Sequence, residues 1–173
     1  QFGTPYGLLI RLNAIGNIVA YVGVGGEAAP GQFYVGAGMT DVVFDPQGSI
    51  YVVGSTLIDL DGMAGTEDGY VMKFNRQLER VWVRQFGAWG ERTAAEKLVL
   101  SSGGQPLVVA HGDEDAYVRI FTADGITSQT LTVASEAQDL VHGLAFDGEA
   151  VYVAGETLGA FVGTNSGEWD AFV

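Results

Sequence analysis

The sequence contains no cysteine, which excludes disulfides and thiolate metal sites. Basic residues are scarce: 8 Lys and Arg stand against 21 Asp and Glu, a formal net charge of −13. Nucleic acid and anionic lipid surfaces are recognised through clustered Lys and Arg, so both are disfavoured as partners. The bland consequence of the charge is solubility and protection of exposed sheet edges. No apolar run approaches the roughly 18 residues of a spanning helix, so no membrane insertion is expected. The stretch Gln1-Phe2-Gly3-Thr4-Pro5 lacks the basic start of a secretory signal. Helical periodicity is also missing. The best helical candidate, residues 92–100, contains Thr93 and Val99 and falls where a strand recurs. No G-x-S-x-G is present, which rules out an α/β-hydrolase elbow. Gly36-Ala37-Gly38 has no strand–helix context and is no dinucleotide fingerprint.

What the chain does have is glycine and short apolar runs. It holds 26 Gly in 173 residues and is 47% hydrophobic, enough for a sizeable core. Residues 41–87 carry four such runs, at 42–44, 50–53, 70–74 and 81–86. Each is rich in β-branched or aromatic residues and bounded by turn formers or charge, which predicts four successive antiparallel strands. The unit then recurs. Asp68-Gly69-Tyr70-Val71-Met72-Lys73-Phe74 returns as Asp115-Ala116-Tyr117-Val118-Arg119-Ile120-Phe121 and as Asp170-Ala171-Phe172-Val173. Gly7-Leu8-Leu9-Ile10-Arg11-Leu12 is an earlier copy. Tyr51-Val52-Val53-Gly54 returns as Leu107-Val108-Val109-Ala110 and as Tyr152-Val153-Ala154-Gly155. An imperfect period of about fifty residues with four strands per unit predicts an all-β propeller. Its units are a partial blade and connection at 1–38, full blades at 39–91 and 92–138, and a partial blade at 139–173.

The run from Val42 to Thr56, then 68–75, then 81–87, resembles the SBBP-type β-propeller repeat of bacterial secreted and surface proteins. Asp147-Gly148 with residues 151–157 and 170–173 match a second copy. The middle unit departs from the pattern: Ser101-Ser102-Gly103-Gly104 stands at the Asp-x-x-Gly turn, and His111-Gly112 replaces Gly-x-Thr. The first unit has Tyr6 where the aspartate belongs. The resemblance is specific for fold; repeat architecture without a reaction centre predicts a non-catalytic scaffold or protein-interaction module of an exported, surface or large-assembly protein, with an extracellular, cell-surface or periplasmic location. Two full and two partial blades make an incomplete ring. The expectation is therefore that the remainder of the same polypeptide, or another subunit, completes it.

Several residues compete for a functional role. Asp59-Leu60-Asp61-Gly62, with Glu67 and Asp68, is the densest oxygen-ligand cluster and a candidate calcium loop. The EF-hand spacing is not met, and a solvated turn is the competing reading. His111-Gly112-Asp113-Glu114-Asp115 joins one histidine to three carboxylates, either a divalent-metal site or an acidic hairpin tip. Asp68, Asp115 and Asp170 share one repeat position, so they are expected to bond turn amides. Arg11, Lys73 and Arg119 share another and are expected to pair with carboxylates. Trp89, Trp169 and Tyr34 are candidate ligand or partner contacts, which raises a carbohydrate-binding alternative. A hydrolase or lyase at the channel mouth would draw on Asp41, Glu96 and Asp139. Tyr51, Tyr70, Tyr117, Tyr152 and Phe172 are expected to bury between blades. Trp82 is expected to pack there too, and Gly54 and Gly155 to sit at strand ends, where a left-handed turn or a close backbone approach needs no side chain.

Overall fold

The computed structural model describes residues 7–24, 36–63, 67–87, 90–165 and 167–173. Among them there are thirteen strands and no helix. They are β1 (Gly7–Leu12), β2 (Ile18–Val24), β3 (Ala37–Phe44), β4 (Ile50–Thr56), β5 (Asp68–Phe74), β6 (Arg80–Phe86) and β7 (Ala94–Leu100). The rest are β8 (Pro106–His111), β9 (Ala116–Phe121), β10 (Thr127–Val133), β11 (Asp139–Phe146), β12 (Val151–Thr157) and β13 (Asp170–Phe172). Residues 92–100 thus supply a strand, as the repeat requires.

Strands pair antiparallel in chain order into four sheets: β1-β2, β3-β4-β5-β6, β7-β8-β9-β10 and β11-β12-β13. The described sheets do not close into a ring. They stack instead through their first strands. β7 lies against β3, β4 and β5, and β11 lies against β7 and β8. Side chains alternate across a strand, so a middle strand packed on both faces must be apolar at every position. β4 meets that demand over residues 50–53. Tyr51 and Val53 join the core against the third sheet, while Val52 joins the core against the first. β8 repeats the arrangement, with Val108 facing the second sheet and Leu107 and Val109 the fourth.

Five tight hairpins share one turn chemistry. The side chains of Asn13, Asp45, Asn75, Ser101 and Thr122 each accept the amide four residues on, at 2.8–3.1 Å. Three residues after each of them, φ is positive: Gly16, Gly48, Gly104 and Gly125 in four turns, Leu78 in the fifth. A side chain there is strained, and Leu78 is held by burial, at 6% exposure. Antiparallel order places all five turns at one end of the sheets. The opposite ends of the strands, where second strands lead to third, lie at the other.

Each four-strand or three-strand sheet carries a β-bulge at one repeated place. The register slips between Met39 and Asp41, between Ala95 and Lys97, and between Val141 and Gly143. The extra residues are Thr40, Glu96 and His142. Opposite them lie Gly54, Ala110 and Gly155. A Cβ at Gly54 would overlap the carbonyl of Gly38, and one at Gly155 would overlap that of Leu140. Both glycines therefore serve a close backbone approach inside a strand, not at its end as the sequence suggested. Thr40 Oγ1 donates to the Ala95 carbonyl at 2.6 Å, and Asp41 Oδ2 accepts the Leu98 amide at 3.0 Å. These bonds tie the second sheet to the third. Thr40→Val is expected to cost about 1 kcal/mol in a urea titration. An unchanged midpoint would show that the hydroxyl contributes nothing net.

Other expectations divide. Tyr51 and Tyr70 are buried, while Tyr117 and Phe172 are half-buried. Tyr152 is 50% exposed, against expectation, because its face of the fourth sheet has no described sheet packed on it. Trp82 packs as foreseen: its ring meets Tyr51 edge-on at 6.1 Å, and its Nε1 donates to the Ala123 carbonyl of the third sheet. Among the described residues none of the repeated cations forms a salt bridge with a carboxylate, although the Lys73 charge acts on Asp45 at longer range. Lys73 lies 4.9 Å from the Tyr51 ring centre, Arg119 stacks on two rings, and Arg11 donates to the Arg76 carbonyl.

Candidate functional site

The loop end is built around the β8–β9 hairpin. Its tip closes where the Gly112 amide donates to the Asp115 carbonyl at 2.7 Å. Both neighbouring connections are laced to it. The Arg92 amide donates to Asp113 Oδ2 at 3.2 Å, and Gln138 Nε2 donates to the Asp113 carbonyl at 3.1 Å. The Asp139 amide donates to the Glu114 carbonyl at 2.9 Å. On the second sheet, Glu67 pairs with Arg92 at 2.7 Å and accepts from Ser55 Oγ, while its carbonyl receives the Thr93 amide.

Two clefts flank the tip. The larger, about 480 Å³, lies between β9 and β10 of the third sheet and the residues that follow β6. Its floor includes Tyr117 and Arg119, its side Thr130 and Thr132, and its rim Glu91, Asp113, Glu114 and Asp115. The smaller, about 190 Å³, runs towards the fourth sheet past Glu67, Arg92, His111, Gln138 and Leu140. Gly112 and Asp113 wall both.

Buried polar atoms are almost always hydrogen-bonded, so exceptions mark places to look for function. Among the described residues three buried side-chain atoms have no partner: His111 Nδ1, Arg119 Nε and Asp139 Oδ1. His111 lines the smaller cleft, Arg119 on β9 lines the larger, and Asp139 begins β11 beside the Glu114 carbonyl. Arg119 lies 4.9 Å from the Phe86 ring centre and 5.3 Å from that of Tyr117. Burial raises the Tyr117 hydroxyl above its ordinary pKa, although Thr93 hydrogen-bonds it. Asp139 is fully buried and its other oxygen accepts the Ser135 amide at 2.7 Å.

Burial also holds His111 below its ordinary 6.5, against the pull of Glu96 and Glu67 and with the help of His142. The sign of the pH effect follows. The unfolded chain takes up a proton near pH 6.5 that the folded one resists, so stability is full above that pH and falls as pH drops towards the folded value. Denaturant titrations at stepped pH should show this decline, and His111→Gln should flatten it. A slope that survives in the variant would assign the effect to another group.

The calcium candidates do not converge. Asp59 Oδ1 accepts the Asp61 and Gly62 amides of its own turn, and Asp61 faces Arg84 at 3.9 Å. Glu67 is paired with Arg92, and buried Asp68 accepts from Gln85 Nε2 at 2.7 Å. Asp68 is thus held by a side-chain amide, not by turn amides as expected. Nor do the acids of the hairpin tip gather on His111: among the described residues no three His, Cys, Asp or Glu are placed to hold a metal ion. Of the channel-mouth set, Asp41 bonds β7, Glu96 occupies the bulge, and Asp139 is buried beside Ser135; they form no common group. Trp169 is exposed in the loop before β13 and lines neither cleft. Trp89 and Tyr34 lie outside the described residues.

Sequence reasoning missed Arg119 as a site residue, reading it as an ordinary ion-pair partner. The signal that pointed to the region was the break in the repeat at His111-Gly112. Compared with known proteins, the chain matches no family model and no curated protein.

Proposed function

We propose that the chain is a non-catalytic binding module whose sheets are blades of an SBBP-type β-propeller, carried by an exported or surface protein of a bacterium. The observation that carries this reading is a coincidence of place. The sheets repeat one another strand for strand and bulge for bulge, and the repeat breaks at the middle hairpin. There His111 Nδ1 is buried without a partner, and Arg119, whose Nε is also unpartnered, lines the cleft beside the tip. A regular scaffold with one irregular loop end suits ligand capture on loops held by rigid strands. Further blades, from the same polypeptide or another subunit, would cover the apolar side chains of the first sheet, where Leu8, Ile10, Leu12 and Tyr21 are exposed.

The test is turnover. Purified protein incubated with panels of glycosides, esters and uronate polymers is expected to match buffer. Hydrolysis or elimination that disappears in Glu96→Gln or Asp139→Asn would make the module an enzyme and overturn the reading.

A further inference from the structure

We propose that the 480 Å³ cleft binds a zwitterionic group, a carboxylate with a cationic centre beside it, with Arg119 taking the carboxylate and the acidic rim taking the cation. The proposal rests on the binding-module reading. It starts from the state of Arg119. The Arg119 guanidinium carbon lies 4.9 Å and 5.3 Å from the ring centres of Phe86 and Tyr117, and among the described residues its terminal nitrogens make no hydrogen bond. Arg119 Nε is buried without a partner, so a ligand meets the guanidinium through its terminal nitrogens. The ion pairs among the described residues join Arg84 to Asp61, Arg92 to Glu67 and His142 to Glu156, and leave Arg119 out. Yet four carboxylates line the same cleft.

Those acids are kept from closing on the guanidinium by the construction of the tip. Asp113 is engaged by the Arg92 amide, and the tip is pinned to the next sheet through Gln138 and Asp139. The cleft thus holds one cation at its floor and separate negative charges at its mouth. A dense anion such as phosphate is repelled by that mouth, in a protein already at −13. A simple cation leaves the guanidinium unmet. A carboxylate with an ammonium or guanidinium beside it satisfies both ends. Thr130, Thr132 and the Tyr117 hydroxyl add donors and acceptors along its length. The volume lies within the roughly 300–1,000 Å³ typical of ligand pockets. Such a group comes either as a free amino acid or as the C-terminal end of a basic peptide.

The experiment is calorimetric titration of the 173-residue chain with lysine, with the peptide Gly-Gly-Lys, and with the same peptide amidated at its C-terminus. Saturable binding of lysine identifies the free amino acid as source; saturation by the free-acid peptide alone identifies the peptide end. Amidation is expected to weaken binding by about tenfold to a hundredfold, as is Arg119→Lys, which keeps the charge but loses the fork. The exposed triple change Asp113→Asn, Glu114→Gln, Asp115→Asn is expected to weaken lysine binding and leave the fold intact by circular dichroism. If Arg119→Lys fails to fold, the amide comparison on the native chain still decides. Equal affinity for the amide, or no saturation by any probe, overturns the proposal. Turnover of a probe would instead overturn the module reading.

Discussion

Gly54→Ala is expected to destabilise the chain by more than about 3 kcal/mol, the range of severe overpacking inside a core. The added methyl would overlap the Gly38 carbonyl, which is backbone and moves only by opening the β3–β4 ladder at its bulge. Ala110 occupies the same place in the third sheet, opposite Ala95, and is fully buried there. Ala110→Gly should therefore cost only about 0.5–1 kcal/mol, the usual penalty of added backbone freedom. Urea midpoints for both variants check the contrast. Equal effects at the two positions would show that the bulges are not packed alike and that the close approach at Gly54 is avoidable.

Tyr51→Ala is expected to cost about 3–5 kcal/mol, the penalty for emptying a large aromatic site in a core. Tyr51 is 1% exposed, meets Trp82 edge-on, and lies under the Lys73 ammonium. Tyr152 is its repeat equivalent, yet it is 50% exposed and donates only to Asp147 at 2.9 Å. Tyr152→Ala should cost about 1 kcal/mol or less. Thermal melts of the two variants separate the positions. A comparable loss at Tyr152 would mean that a described face is covered in solution by something else, a second copy being the first to check by sedimentation.

The strands were legible because their faces are chemically loud. Residues 50–53 and 107–110 are continuous apolar runs, the mark of strands packed on both faces. The hairpins within residues 41–87 were legible through the turn formers and charges that bound their apolar runs. The bulges were not. Thr40, Glu96 and His142 share no side-chain chemistry, and a bulge is an extra backbone residue that any side chain tolerates. Gly54 and Gly155 were noticed, but their reason lies in a carbonyl on another strand. Tyr152 was misjudged because repeat position says which face a residue occupies, not whether a neighbour covers it. Arg119 was misjudged for the same reason: rings on β6 and β9, not the abundant acids, turned out to lie beside it.

The two-sided packing of the middle sheets sets an order in which the molecule breathes. Amides of β4, β5 and β8 are sealed by cores on both faces, with Val52, Val71 and Val108 at 0% exposure. Those of β1 and β2 have a core on one face and water on the other, as Ile10 and Tyr21 show. In hydrogen–deuterium exchange the outer strands should label through local opening within the first time points. The middle sheets should exchange only when the whole stack gives way. The smaller loop-end cleft reaches the last residue of β8, His111, so that wall belongs to a slow strand.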